Sequence, residues 1–471
     1  MAAQKTQRDF TQGPILPSLL SMALPTAFGF LAQTAYDLAN LYWIGKLSAK
    51  AVAGTTIFAT MMWIVEILNE VIGMSSVSLI SQAYGSGDME RTRKAVEQTI
   101  VFKALVALVA GLCLFTFLRP MASFFSADAE VVGFAWNYGW LRAFFLPVFF
   151  SSFTVNTALR NIGDAKRPMI ILSVSSAANV ILDPFLIFKS FTVPFTTINL
   201  PGLGLGVFGA AVATVTAVSG AFLFGLYYLS SGRARVRISL RGLLRLDREL
   251  DRKLITIGLP AGAELLTRNV ASLVVLKLVA GYGTAAVAAL GIGQRLTGFA
   301  FMPLMGLTMG GAAMVGQNLG AEKTDRASGT SLLAAVCGVA CMLAFAACGW
   351  LFAEGIVGAF VEDPEVIGPG SLMLRIVLTS LCFTGATFGL ATVFNGSGYN
   401  LPFLVAAIIG KYAVQIPLLV LFGPVLKLPV AWMWITFIAS EATELAVMSV
   451  FYIRGKWKTM RVVARQAVTA S

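Results

Sequence analysis

The 471-residue sequence contains no histidine, so no imidazole is available to ligate a metal, relay a proton near neutral pH or activate a serine or cysteine nucleophile. HExxH and zinc-finger arrangements are excluded with it. Charge is scarce too: Asp, Glu, Lys and Arg make up 12% of the chain, about half the share of a soluble domain, against 57% hydrophobic residues. A soluble fold is excluded. Cysteine is limited to Cys113, Cys337, Cys341, Cys348 and Cys382, each inside an apolar run, where thiols read as small hydrophobes rather than a disulfide framework. No GxxxxGK[ST] occurs, so ATP is not the expected energy source. Gly204, Gly206 and Gly209 spell GxGxxG, but no βαβ pattern surrounds them and they lead into an apolar run. They are expected to shape a loop and let helices pack closely.

What the chain has in quantity is long apolar runs. Stretches able to cross about 30 Å of hydrocarbon, roughly 20 residues each, lie near 15–44, 51–83, 96–118, 130–158, 168–188 and 207–230, then near 253–280, 286–318, 328–352, 366–394, 401–424 and 429–453. Twelve spans of this kind predict an all-α membrane protein, since alternating barrel strands would not give continuous apolar runs. The first run is too long for a signal-peptide core and reads as a retained span.

Basic residues orient the bundle. The termini hold Lys5, Arg8, Arg454, Lys456, Lys458, Arg461 and Arg465, and the even-numbered connections hold Arg91, Arg93, Lys94, Arg160, Lys166, Arg167, Lys323, Arg326 and the run from Arg233 to Lys253. The odd-numbered connections hold only Lys46, Lys50, Arg119, Lys189 and Lys427. The positive-inside rule makes both termini cytoplasmic. The net charge of +12 then follows from topology and contact with anionic membrane lipid, not from nucleic-acid binding.

The expected organisation is a cytoplasmic segment 1–13, an N-lobe 14–230 with helices 1–6, a basic cytoplasmic linker 231–253, a C-lobe 254–453 with helices 7–12, and a basic tail 454–471. An internal repeat supports the division. Pro25 and Pro260, Gln82 and Gln317, Gly85 and Gly320, and Gly163 and Gly398 are matched pairs, each separated by 235 residues. Six helices per copy insert the same way up, so the copies should be related by an axis along the membrane normal, as in alternating-access transporters.

The segments AYGSGDMERTRKA (83–95), GQNLGAEKTDRA (316–327), LRNIGDAKRP (159–168), NVILDPFLIF (179–188) and GVFGAAVAT (206–214) resemble the MATE family, multidrug and toxic compound extrusion transporters. The resemblance runs from about Pro14 to Arg454 and is nearest to the archaeal and DinF-like branch. It implies a V-shaped bundle of two lobes that exports mostly cationic or amphipathic compounds in exchange for protons or sodium ions.

Ionisable residues inside spans are costly and are candidates for function. Asp37 and Asp183 both fall roughly 8–12 Å below the outer face at about 1.5 Å per residue, where two carboxylates can share or exchange a proton. Asn179 precedes Asp183 by one turn on the same face. The family resemblance carries over Asn179 and Asp183 directly, and Gln33 falls where a polar helix 1 residue is expected. Helix 1 departs from the family's YNxxD pattern: it reads Tyr36-Asp37-Leu38-Ala39-Asn40, with Asp and Asn exchanged one turn apart. Adding 235 to 37, 179 and 183 gives Ser272, Val414 and Leu418, so ion coupling is expected in the N-lobe, at Asp37, Asn40, Asn179 and Asp183.

Gln33, Tyr36, Glu66 and Glu70 are candidates for a substrate cavity, with Asn156 and Thr214 added by the resemblance. Glu66 and Glu70, one turn apart, either line a wet cavity for cations or pair with Arg142 or Lys103. Glu264 with Arg268, and Glu441 and Glu444 with Arg295, Arg375 and Lys411, point to a second polar network. The expected function is secondary active efflux of small organic cations or amphipathic drugs. A proton or sodium ion, the latter held at Asp37, Asn179 and Asp183, is the coupling ion. No other cofactor, no metal catalysis and no nucleic-acid partner is expected. A monomer in the cell membrane is expected, the inner membrane in a Gram-negative source. A lipid-linked sugar flippase is the nearest alternative, and an intramembrane enzyme is a more distant one.

Overall fold

The computed structural model describes residues 10–192, 197–239, 241–361 and 363–462, so Lys5, Arg8 and Arg465 lie outside the described residues. Helix dominates because a backbone in hydrocarbon must satisfy its own N–H and C=O groups. The order is α1 (Ile15–Gly45), α2 (Ala49–Gly85), α3 (Met89–Phe125), α4 (Ala129–Phe144), α5 (Leu146–Asn161), α6 (Lys166–Ile187), α7 (Val207–Ser230), α8 (Arg248–Ala280), α9 (Thr284–Gly320), α10 (Thr324–Gly358), α11 (Pro364–Ser397), α12 (Leu401–Ile408), α13 (Ile416–Val420) and α14 (Ala431–Arg454). Among the described residues ten segments are long and apolar enough to cross a membrane.

The two remaining expected spans miss that measure for local reasons. The fourth is interrupted at Phe145 (φ −88, ψ 9), where Pro147, at the start of α5, has no N–H to continue the ladder. The seventh, α8, opens on Arg248, Glu249, Asp251, Arg252 and Lys253 and carries Glu264 and Arg268 further in. The eleventh span, Leu401–Val425, joins α12 and α13 through π-helical turns at Ile409–Gln415 and Leu421–Val425. All twelve expected spans are therefore helical.

The chain packs as two compact units. The first comprises Phe28–Ser76 and Met89–Ile255, and the second the described parts of Met1–Ala27, Val77–Asp88 and Thr256–Ser471. This partition differs from the repeat halves, and a glycine row on α9 explains the second unit. A Cβ at Gly306 would lie 2.7 Å from the Ala23 carbonyl, and one at Gly320 would lie 2.1 Å from the Gln82 carbonyl. Reciprocally, a Cβ at Gly85 would lie 2.0 Å from the Gln317 carbonyl. Small residues allow this backbone approach where lipid gives helices no hydrophobic reason to associate. The start of α1 and the end of α2 thus seat on α9.

The first unit buries Phe58, Met61, Leu118, Tyr138 and Phe150 in one cluster, with the Phe58 ring against Gly139. In the second, Gly338 of α10 and Gly385 of α11 face each other backbone to backbone. Gly163 and Gly398, a repeat pair, take φ of +90 and +78 just past the ends of α5 and α11, the left-handed C-terminal cap that glycine adopts without penalty.

The described parts of two connections make defined contacts. Ser190–Thr192 pairs antiparallel with Asn199–Pro201, Phe191 opposite Leu200, a small hairpin absent from the sequence expectation. Gly204 and Gly206 of the GxGxxG run have positive φ, and Gly209 packs on the Leu186 carbonyl, a loop-and-packing role. In the linker, Ser239 N donates to Glu97 Oε1 (2.6 Å) and Asp247 N to Gln98 Oε1 (3.0 Å), docking it on the start of α3.

Candidate functional site

One buried polar cluster of the first unit assembles from four helices. α6 supplies Asn179 and Asp183, one turn apart and both buried. α1 supplies Asn40, α4 supplies Tyr138 and Arg142, and α7 supplies Thr214. Asn40 Nδ2 donates to Asp183 Oδ2 at 3.0 Å, and Tyr138 OH donates to Asn40 Oδ1 at 3.3 Å. Arg142 Nη1 donates to Tyr138 OH at 2.6 Å. With the Asn179 amide oriented to satisfy both its ends, its nitrogen donates to Asp183 Oδ2 at 3.1 Å and its oxygen accepts from Thr214 N at 3.1 Å. Every donor in this chain points toward one carboxylate oxygen.

Arg142 stands behind that relay as its cation. Its guanidinium lies over the rings of Tyr138 (4.9 Å), Phe58 (5.5 Å) and Phe149 (5.5 Å), and its charge acts on both Asp37 and Asp183. The rings shield a cation that lipid would otherwise expel.

The exchange in helix 1 therefore has a definite consequence. Asn40 occupies the buried contact with Asp183, whereas Asp37 is exposed. The structure brings Asn40, Asn179, Asp183 and Thr214 together through hydrogen bonds, while Asp37 makes none of these bonds but lies within electrostatic reach of Arg142 and Tyr138. Tyr36 is half-buried, within electrostatic reach of Arg142, Tyr138 and Asp37. Gln33 is exposed. Asn156 is buried, and its amide nitrogen donates to Ser152 O of its own helix at 3.0 Å. Glu66 and Glu70 are half-buried on α2, and Asn69 Nδ2 donates to Glu66 Oε2 at 2.7 Å.

The second unit carries its own buried ionic network. Arg268 pairs with Glu264 one turn earlier and with Glu444 Oε2 at 2.6 Å. Lys411 pairs with Glu441 at 2.8 Å and Glu444 at 3.3 Å, and Thr384 Oγ1 donates to Glu441 Oε2 at 2.8 Å. Lys411 rides on the π-helical turn of the eleventh span, and the bare Gly410 beside it makes room for Glu444. Two expected members fall elsewhere: Arg375 pairs with Glu354 at 3.4 Å, and Arg295 is exposed. Sequence alone does not fix which face of α9 or α11 carries them.

Tyr138 was absent from the sequence expectation, because a tyrosine in an apolar run carries no signal of its own. Arg142 had one: it is an arginine in the middle of a span.

The MatE family profile matches the chain twice, over residues 25–185 and 260–421. The chain belongs to the MatE family. The two matches start 235 residues apart, at the prolines that open the internal repeat. This MatE protein is 26% identical over 453 residues to a probable multidrug resistance protein, YoeA, of Bacillus subtilis (strain 168), covering 94% of this chain and 95% of the other. It is 26% identical over 450 residues to the multidrug export protein MepA of Staphylococcus aureus (strain MSSA476), at the same coverage. Its fold is similar to that of a solved MOP superfamily transporter from Pyrococcus furiosus, described as having a binding pocket of reverse polarity (TM-score 0.86, 22% identity, 96% of this chain and 98% of that one). It is similar also to a multidrug resistance MATE transporter in an outward-facing conformation (TM-score 0.83, 23% identity, 96% and 98%). This MatE protein is a multi-pass membrane transporter, not an enzyme.

Proposed function

We propose that this transporter exports small organic cations or amphipathic drugs in exchange for protons, with Asp183 as the coupling carboxylate and both termini in the cytoplasm. The relatives named as multidrug resistance and export proteins support the substrate class. One observation supports a proton over sodium: Asp183 Oδ2 accepts from two amide nitrogens, and the carbonyl oxygens of both amides are already taken by Tyr138 OH and Thr214 N. A hard cation needs several free oxygen ligands, whereas a proton needs one.

Deprotonated, Asp183 ties α1 to α6 through Asn40. Protonation removes the charge that makes those hydrogen bonds strong, and α1 is released. An ion drives such a change only by unequal affinity for two states, so proton and drug must prefer different ones. Asp37, exposed and under the same Arg142, is the entry carboxylate in this scheme.

The test is uptake of a fluorescent organic cation into inside-out proteoliposomes under a proton gradient and then a sodium gradient, with Asp183→Asn in parallel. Proton-driven uptake that Asp183→Asn abolishes, in a variant that still inserts and elutes as a folded protein, is expected. Uptake driven by sodium alone, or undiminished in the variant, refutes the assignment. Absence of uptake under either gradient would turn the search to lipid or sugar substrates.

A further inference from the structure

Lys103 lies midway along α3 and is fully buried. Its ammonium has no hydrogen-bond partner among the described residues and sits over the rings of Phe153 at 4.5 Å and Phe150 at 5.8 Å, both on α5. Its outer wall is Gly73 of α2, where a Cβ would come within 3.5 Å of Nζ and 3.2 Å of the Phe153 ring. The charged groups acting on it are Glu70 and then Glu66, also on α2. Residues 66, 70 and 73 share one helix face. An ammonium over two aromatic faces and within the field of two carboxylates is the chemistry that recognises an organic cation, built here from the protein's own side chains. Glu66 and Glu70 are each half-buried, and Trp63, one turn before Glu66, is exposed.

We propose that Lys103 is a tethered competitor for the transported cation: an organic monocation binds against Trp63, Glu66 and Glu70, and Lys103 gives up its proton as that cation arrives. The balance is one for one. Before binding, two carboxylates face one ammonium; afterwards they face one bound cation and a neutral amine. The proton leaves to water past the half-exposed carboxylates. This site would add a second proton exchange to that of Asp183, and it rests on the reading of the protein as a cation exporter.

Ethidium, a permanent cation that does not itself titrate, is the probe. Its binding to the purified full chain would be followed by fluorescence polarisation between pH 6 and 9, with proton release recorded by an indicator dye in weak buffer. The Asp183→Asn background, combined with Asp37→Asn, removes the coupling and entry carboxylates from the measurement. In that background affinity should rise with pH by up to about tenfold per unit, the slope of one coupled proton. Lys103→Met should bind more tightly with that slope and proton release lost. Lys103→Arg, a cation that does not deprotonate, should bind weakly at every pH. A slope and proton count unchanged by both substitutions would overturn the proposal while leaving Asp183 coupling intact. Pure pH dependence at Lys103 with normal transport by Asp183→Asn would do the reverse. A wild-type protein that binds no ethidium at any pH would sink both.

Discussion

The crossing of α2 and α9 offers a test worked from the backbone. Gln82–Gly85 and Gln317–Gly320 are repeat-related copies of one pattern, and each glycine lies on the other copy's glutamine carbonyl. A Cβ at Gly85 would sit 2.0 Å from the Gln317 oxygen and one at Gly320 would sit 2.1 Å from the Gln82 oxygen, where ordinary contact begins at 3.4 Å. Gly85→Ala must therefore open the crossing by more than an ångström, and the obstacle is backbone, which no rotamer change relieves. Overpacking of this kind costs about 1–3 kcal/mol, with the top of the range expected. For a unit of this size each kcal/mol moves the melting point by roughly 2–4 °C. Gly85→Ala and Gly320→Ala should each lower the apparent melting temperature in detergent by a similar amount, read by the loss of the monodisperse peak after heating. The double variant should lose less than the sum, because the first methyl already separates the helices. Melting unchanged by either substitution, or fully additive losses, would refute a shared close crossing.

Glu444→Gln should destabilise toward the lower end of the roughly 3–5 kcal/mol that breaking a buried pair costs, because Arg268 and Lys411 each keep a second carboxylate, Glu264 and Glu441. Thermal unfolding identical to wild type would show the network to be dispensable. Trp457→Ala removes a fully buried indole stacked on Tyr452 at 5.6 Å and donating to Tyr452 O at 3.1 Å, a loss of about 3–5 kcal/mol. It should free the segment whose Val462 N donates to Gln82 Oε1. Trypsin should then cut at Lys458 faster than in wild type, and equal cutting rates would contradict the docking.

Much of the architecture was legible because lipid leaves a chain few options. Apolar runs of sufficient length had to become helices, and charge asymmetry set their expected orientation. The repeat anchors do the same work in both copies: Pro25 and Pro260 lie inside α1 and α8, Gly85 and Gly320 make reciprocal contacts, and Gly163 and Gly398 take positive φ. Pairs within one helix, such as Glu264 with Arg268, could be read from spacing because one turn brings them together.

The rest required the tertiary structure, since spacing along one helix says nothing of which face meets a neighbour. Three residues carry a helix about 60° short of a full turn, enough to put Asn40 on Asp183 and leave Asp37 exposed. Lys411 met Glu441 and Glu444 of α14, whereas Arg375 of α11 turned to Glu354, and Lys103 lies over two phenylalanines of α5 beside the bare Gly73 of α2. Hydrophobic length and local pattern were enough to place the twelve spans, the repeat and the family resemblance. Tertiary packing alone decided which polar groups meet across helices, because each helix's rotation and depth are set by the neighbours it packs against.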